Sequence, residues 1–428
     1  MGMKRLFFWF VFLLSFSRPG GALIVVTSDF PSTPPTTPAM KHYDSGLRAL
    51  MENRLSVAEK SFQESRRLDS RSPLPLIGLA DVALRRQQPD IAWKWLQSAL
   101  EHAPEDVRVH LAIGRFYYGE RKFREAEEAF LQAKKLEPDN LQVLLDLGNL
   151  YVNVFRRPEK ALPLYRAAVR GDPGHGGAHY ALGMTLALLG QVDDAVDAFR
   201  KAVALSPDNP LPHQALGRLF RKLGEKEAAM REFEGALRIQ PDFIPALLDK
   251  GDLYFDRKEF SRALGVYRDA VRTNPEYALA HLKLGMTYQA LGEYDKARDA
   301  YLEAVARDSG LALAYNNLAW MAVERRHDLA QAKAWAETAV RLMPQEPQFL
   351  DTLGWVCKEM GNLSDAEDIL GKAVRMHPSS AEIFYHLSMV YRASGKIAKA
   401  KKALRQAVEL DESYSPALEM LTKDNEVR

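Results

Sequence analysis

A pattern that returns every 34 residues constrains this chain more than any other feature of its sequence. Its marker is a proline near the end of each unit, as at Pro138, Pro207, Pro241 and Pro275. Eleven units fill residues 39–414, and the fourth and ninth units have 35 residues instead of 34. A fixed period of this length is typical of repeat architectures, in which each unit packs against its neighbours in the chain.

We number the places within a unit from its first residue, and the units begin at residues 39, 73, 107, 141, 176, 210, 244, 278, 312, 347 and 381. Place 20 is alanine in all eleven units, and place 27 is alanine in all but one, where Ser65 stands. Apolar residues at three- and four-residue spacing predict helices over places 1–14 and 18–31. Glycine at place 15, as at Gly190 and Gly292, suits the left-handed residue that ends a helix, and proline at place 32 ends the second helix. Place 8 is glycine in eight units and place 24 is mostly Phe, Tyr or Leu, which predicts close helix contact with a bulky side chain filling the gap.

These recurring places resemble those of the tetratricopeptide repeat family over residues 39–414. The resemblance implies an all-α fold, a right-handed α-solenoid of about eleven helix-turn-helix repeats. Residues 415–428 resemble a capping helix and tail, with a polar outer face. In this family the first helices line a concave groove through places 2, 5, 6, 9, 12 and 13, so the resemblance implies that a protein or extended peptide binds there.

The predicted groove changes character along the chain. The sixth unit carries the basic residues Arg218 and Arg221, and the seventh unit carries the acidic residue Asp252. The later units are aromatic and rich in Met, which favours a binding patch because Trp, Tyr and Met supply adaptable contact area. The alternative is that these rings pack only against the next repeat. The predicted groove residues are Arg115, Asn149, Met184, Arg218, Arg221, Asp252, Met286, Asn316, Trp320, Asp351, Trp355, Tyr385 and Met389.

Composition and motifs exclude several functions. Lys plus Arg number 58 and Asp plus Glu 56, and a net charge of +2 is too small for a nucleic-acid binder. The single cysteine, Cys357, excludes an internal disulfide, and its place in the core predicts an inert thiol. His175 and His179 lack a third ligand, and no catalytic motif occurs, so we expect no metal, no cofactor and no enzymatic activity. Five histidines share place 4, where packing explains them better than ligation: His42, His110, His179, His213 and His281.

The beginning of the chain has its own pattern. Two basic residues precede an apolar run over residues 6–16, which predicts a signal peptide over residues 1–22 and export to the periplasm or outer membrane. The alternative is an uncleaved inner-membrane anchor over residues 6–26, the only segment for which we expect membrane contact. Prolines and threonines make residues 23–38 a stiff linker.

Three strings in the last units are similar to the C-terminal repeats of exported bacterial tetratricopeptide proteins, at residues 315–320, 349–355 and 383–395. Some of those proteins serve exopolysaccharide export or envelope protein sorting. The resemblance therefore implies a non-enzymatic scaffold of the bacterial envelope that holds a partner polypeptide during assembly of a secretion, exopolysaccharide or surface-appendage system. The alternative is a subunit that contacts polysaccharide directly, and self-association stays open. Lysine never occupies place 5, so the clamp that some family members use to bind chaperone carboxylates is not assembled.

Overall fold

A computed structural model describes residues 37–325 and 328–426, and every regular element in these residues is a helix. The predicted signal segment and almost all of the linker lie outside the described residues. The chain divides into two compact units between Leu219 and Phe220, and helix α11 contains the dividing point.

The helices up to the dividing point form five successive pairs and most of an eleventh helix. They are α1 (Pro38–Met51), α2 (Leu55–Leu68), α3 (Leu74–Arg85), α4 (Pro89–His102), α5 (Val107–Gly119), α6 (Phe123–Leu136), α7 (Leu141–Asn149), α8 (Pro158–Gly171), α9 (Gly176–Leu188), α10 (Val192–Leu205) and α11 (Pro210–Leu223).

The helices after the dividing point continue the same alternation and end in a single helix. They are α12 (Lys226–Ile239), α13 (Ile244–Asp256), α14 (Phe260–Thr273), α15 (Ala278–Ala290), α16 (Tyr294–Arg307), α17 (Ala312–Glu324), α18 (Leu329–Leu342), α19 (Pro347–Glu359), α20 (Leu363–Met376), α21 (Ala381–Ala393), α22 (Ile397–Leu410) and α23 (Ser415–Glu426). The predicted all-α solenoid is confirmed. Second helices occupy places 17–30, one residue earlier than predicted.

The turn between the two helices of a repeat depends on one left-handed residue. At place 15, five glycines have φ between 73° and 83°, as predicted: Gly190, Gly224, Gly292, Gly361 and Gly395. Five other repeats place a different residue there with φ between 55° and 60°: Asn53, Gln87, Arg121, Arg156 and Lys258. The left-handed backbone is therefore a property of the turn, and glycine is the residue that adopts it at least cost.

The core of each repeat is set by the contact between places 8 and 24. A Cβ added to Gly114 would lie 2.4 Å from the ring of Phe130, and one added to Gly251 would lie 2.4 Å from the ring of Tyr267. The rings therefore fill the space that the glycines leave, which confirms the predicted close approach. At place 27, the exceptional Ser65 is buried and donates a hydrogen bond of 2.8 Å from Oγ to the Ala39 carbonyl, which joins α2 to α1.

The extra residue of the fourth repeat is absorbed as a π-helical turn. Helix α7 continues into this turn over Leu150–Val154, where the Phe155 amide donates to the Leu150 carbonyl five residues earlier. In the ninth repeat, the extra residue falls between α17 and α18, and Arg326 and His327 in that connection lie outside the described residues.

The first helices of neighbouring repeats form a common layer within each unit. Within each unit a second helix packs against the first helices on either side of it, as α14 does against α13 and α15, and α19 also contacts both α17 and α21 directly. Helix α23 follows the last pair and buries Ala417 against Leu404 and Ala407, as a capping helix would. Within residues 37–325 and 328–426, we find no helix with the length and apolarity needed to cross a bilayer.

Candidate functional site

The predicted groove residues lie on the first helices, and in the N-terminal unit two of them are engaged within the chain. Arg115 is buried and donates from Nε to Asp146 Oδ2 at 2.7 Å. Asn149 is exposed, but its Oδ1 accepts a hydrogen bond of 2.8 Å from the Tyr165 hydroxyl. Met184 is half-buried. Arg115 therefore joins repeats three and four, and Asn149 joins α7 to α8 within repeat four, so both are weaker candidates for partner contact than their places in the family suggest.

The predicted basic and acidic residues of repeats six and seven pair with each other. Arg221 lies 3.3 Å from Asp252 through Nη1 and 2.8 Å from Asp256 through Nη2. Lys283 Nζ lies 2.8 Å from Asp252 Oδ1, and the Tyr267 hydroxyl donates to the same oxygen at 2.6 Å. Burial disfavours the charged form of Asp252, but Lys283 and Arg221 outweigh it and lower the pKa of Asp252. This cluster is an internal electrostatic network. Arg218, the other basic residue predicted for the groove in repeat six, is half-buried and lies on the N-terminal side of the dividing point.

The aromatic residues predicted for the last repeats converge on a histidine. Ring centroids of Trp320, Trp355 and Tyr385 lie 5.7, 4.6 and 5.8 Å from that of His386. His386 is only 4% exposed, whereas the three surrounding rings are half-buried and keep a solvent-facing part. We call these four residues the aromatic cluster. It lies on α17, α19 and α21, so three successive first helices build it.

Two carboxylates adjoin the aromatic cluster. Both oxygens of buried Asp351 lie 2.9 Å from His386 Nδ1. Glu382 is exposed as a residue, and one oxygen of it, one of Asp351 and one ring nitrogen of His386 all lie within 4.8 Å of one another. Desolvation of its carboxyl group and the negative charge of Asp351 raise the pKa of Glu382, while His386 opposes that shift. We call Asp351, Glu382 and His386 the polar triad.

The surroundings of the cluster combine polar and flexible groups. Asn316 Oδ1 is buried without a hydrogen-bond partner among the described residues. Lys358 Nζ lies 4.2 Å from the centroid of the Trp355 ring, a cation–π contact. Met286 and Met389 are half-buried on the same helical layer. This region therefore joins aromatic area, negative charge and an unsatisfied amide, a composition suited to binding.

Sequence reasoning missed His386 and Glu382. A regular offset would have found them, because first helices of neighbouring repeats meet through residues 31 positions apart. This offset joins Arg115 to Asp146, Asp252 to Lys283 and Trp355 to His386. Adding 31 to Asp351 gives Glu382.

The other residues singled out from the sequence have structural roles. At place 4, ring Nε2 of His110, His179 and His281 lies 2.7, 3.0 and 2.8 Å from the carbonyl oxygen of the preceding turn proline. His175 caps α9 by accepting from the Ala178 amide through Nδ1 at 2.9 Å. Burial raises the pKa of the Cys357 thiol, in agreement with an inert core residue.

Two surface cavities lie away from the aromatic cluster. The larger, of about 610 Å³, is lined by α6, α7 and α8 beside the π-helical turn, with Tyr151, Lys160 and Leu164 in its wall. The smaller, of about 230 Å³, is lined by Trp335, Met321 and Arg325 among others. Neither brings acidic and imidazole groups together as the polar triad does.

Successive helix pairs of one repeating pattern define a helical-repeat scaffold of the kind that mediates protein–protein interaction. Two family models support this class. The one described as tetratricopeptide repeat matches residues 77–140 and 145–210. The other, described as cilia and flagella-associated protein 70 C-terminal domain, matches residues 212–421. The chain belongs to the tetratricopeptide repeat family.

Comparison with individual proteins supports the fold, but the matched segments span only a small part of each curated relative. The chain is 30% identical over 109 residues to the protein O-mannosyl-transferase TMTC3 of Homo sapiens, covering 22% of this chain and 12% of that protein. It is 29% identical over 89 residues to Tmtc3 of Drosophila melanogaster, covering 18% of this chain and 10% of that protein. A chain in the crystal structure of the APC/C hetero-tetramer Cut9–Hcn1 aligns over 90% of this chain and 96% of its own length, with TM-score 0.51 and 15% identity. At that identity the likeness establishes the fold alone.

Proposed function

We propose that this protein is a non-enzymatic scaffold that holds an extended segment of a partner polypeptide against the first helices of its last three repeats. The observation that carries the proposal is the convergence of Trp320, Trp355 and Tyr385 around one buried histidine while each ring keeps an exposed part. Rings that are already fixed by packing lose little conformational freedom when a partner covers them. Aromatic anchors of this kind dominate the binding energy of many interfaces.

The packing of these rings supports binding and stability together. Trp355 packs against the core of repeats nine to eleven, and Tyr385 meets Tyr414 edge-on at 5.6 Å. The buried part of each ring therefore sets its orientation. The exposed part offers a contact of fixed shape. In contrast, the charged groups of repeats six and seven already satisfy one another, so a partner would gain little by replacing those contacts.

We further propose a cell-envelope setting. The apolar run over residues 6–16 supports export, to the periplasm or the outer membrane, with an inner-membrane anchor over residues 6–26 as the alternative. The repeat strings at residues 315–320 and 349–355 support a role in assembling a secretion, exopolysaccharide or surface-appendage system. The experiment for this setting is mass spectrometry of the mature N-terminus. A start at Leu23 supports cleavage, and retention of Met1 contradicts it.

A second candidate function is direct contact with polysaccharide. Sugar rings stack on aromatic side chains, and Trp320 and Trp355 are both half-buried on one helical layer. Polymer binding in the absence of any protein partner distinguishes this function from the first. If the second function holds, dextran or alginate embedded in an affinity gel should slow the migration of the purified full-length protein.

The peptide-binding function is tested by selection from a phage-displayed random peptide library on the full chain. A selected peptide should bind the Trp320→Ala, Trp355→Ala double variant at least about 30-fold more weakly, because loss of an anchor residue costs about 2 kcal/mol or more. Fluorescence polarisation gives both dissociation constants. The matched control is Trp335→Ala, since Trp335 is also half-buried in the C-terminal unit but lies on the second helix α18. Equal affinity for wild type and the double variant would mean that the rings only pack.

A further inference from the structure

The polar triad brings two carboxylates and one imidazole to the same place. Asp351 is 6% exposed, and its hydrogen-bond partner is His386. Glu382 adds a second carboxylate, and the charged groups that act on it are Asp351 and His386. The triad thus brings two carboxylates to one imidazole, with Asp351 and His386 buried and Glu382 exposed.

The geometry of the triad suits a metal ion. Two ligand atoms about 2.1 Å from a tetrahedral Zn²⁺ ion lie about 3.4 Å apart. One ligand atom from each residue of the triad lies within 4.8 Å of the other two, so small side-chain shifts bring all three to that spacing. Glu382 and His386 are four residues apart on α21, a spacing that brings side chains to one helix face, and Asp351 comes from α19.

The buried imidazole favours a metal over a cationic side chain. Neutral imidazole is a common metal ligand through either nitrogen, whereas a protonated ring repels an ammonium or guanidinium group. His386 is more than nine-tenths buried, and its Nδ1 lies 2.9 Å from both oxygens of Asp351. The ring is also held by Trp355 at a centroid distance of 4.6 Å, so its orientation is fixed before any ion arrives.

We propose that Asp351, Glu382 and His386 bind one divalent first-row transition-metal ion, with Zn²⁺ as the best match. One nitrogen and two carboxylate oxygens form a borderline donor set that Zn²⁺ and Mn²⁺ accept, while Ca²⁺ takes six to eight oxygens and soft Cu(I) selects sulfur. The ion would tie α19 to α21 and leave its remaining positions open on the side of exposed Glu382. This site does not depend on the peptide-binding function, and either can fail without the other.

The test uses the full chain stripped with EDTA and then titrated with Zn²⁺, Mn²⁺ or Ca²⁺ by isothermal calorimetry. We expect one equivalent of Zn²⁺ to bind, Ca²⁺ not to bind, and Glu382→Gln to weaken Zn²⁺ binding at least about tenfold. His386→Gln should abolish binding. Glu382 is exposed, so the fold of its variant is expected to survive, and circular dichroism checks it. Cobalt substitution provides a second readout, because the visible absorption of bound Co²⁺ should change in Glu382→Gln.

Two controls make the result decisive. Glu409→Gln removes an exposed carboxylate of the same unit and should leave Zn²⁺ affinity unchanged. His175→Asn removes one member of the H-x-x-x-H pair and should also leave it unchanged. Absence of stoichiometric binding overturns the proposal, as does binding that survives in both triad variants. It is equally overturned if the triad binds a lysine-rich peptide, such as acetylated tetralysine, in place of Zn²⁺ and loses that peptide in Glu382→Gln.

Discussion

At the scale of single residues, each described repeat turn needs one left-handed position, and ten repeats supply it in two ways. Five use glycine and five use another residue at nearly the same backbone angle. A side chain in this conformation costs roughly 1–2 kcal/mol compared with glycine. The five repeats without glycine therefore carry a small strain that their neighbours must offset.

The same Gly→Ala substitution at two positions separates the cost of the left-handed backbone from the effect of removing a glycine. Gly292 has φ +76° and an added Cβ would meet nothing within 4 Å, so Gly292→Ala should lower the free energy of unfolding by about 1 kcal/mol through backbone strain alone. Gly265 lies inside α14 with equally open space, so Gly265→Ala should raise it by about 0.5–1 kcal/mol. Urea unfolding of both variants gives the two values. If both substitutions changed the free energy of unfolding in the same direction, the explanation by backbone strain would be wrong.

At the scale of helices, charged side chains join first helices across repeats. Asp252 on α13 accepts from Tyr267 on α14 and pairs with Lys283 on α15, so one carboxylate touches both following helices. Because Lys283 and Arg221 lower its pKa against the effect of burial, Asp252 stabilises the folded state in its ionised form. This stabilisation is present above the unfolded-state pKa, about 3.9 for aspartate, and is lost as the pH falls through the lower folded-state pKa.

The sign of this linkage gives a measurable difference. Asp252→Asn should reduce the free energy of unfolding at pH 7, and the gap between wild type and variant should shrink as the pH falls below about 4. Urea unfolding at a series of pH values from 7 to 2 measures the gap. Asp295→Asn removes a carboxylate that is 82% exposed and should leave unfolding unchanged throughout that range. A gap that stays constant with pH would show that the lost contacts act through packing.

The helices could be predicted from the sequence because their determinants are local. Alanine at place 20, glycine at place 8 and the ring at place 24 repeat in phase, and each acts within one helix pair. The site was only half predictable, since it depends on the offset between repeats. Trp320 and Trp355 could be identified by their place in the repeat, whereas His386 is distinguished from other histidines only by its contacts with neighbouring repeats.

At the scale of the whole molecule, a repeat fold distributes stability along the chain instead of concentrating it in one centre. Within each of the two units, neighbouring helix pairs pack against one another, so the effect of a change should fade with distance in sequence. The pair α21–α22 is followed by α23, which buries Ala417 against Leu404 and Ala407.

Deletion of residues 415–428 tests this distribution. It should expose Leu404 and Ala407 and lower hydrogen-exchange protection in α22 strongly, because the deletion removes their cover. Protection in α8 to α10, many repeats away, should not change, and these helices serve as the internal control. A uniform loss of protection would mean that the chain unfolds as a single cooperative body.

The π-helical turn at Leu150–Val154 has a consequence for how such a chain can change over generations. The fourth repeat has one residue more than the 34-residue period, yet Ala161 at place 20 and Tyr165 at place 24 are buried as their counterparts are in every other repeat. The turn thus confines an insertion to a single bulge and keeps all later repeats in phase. A repeat of this kind can therefore accept one extra residue at the end of its first helix, which changes the local surface and leaves the following repeats as they are.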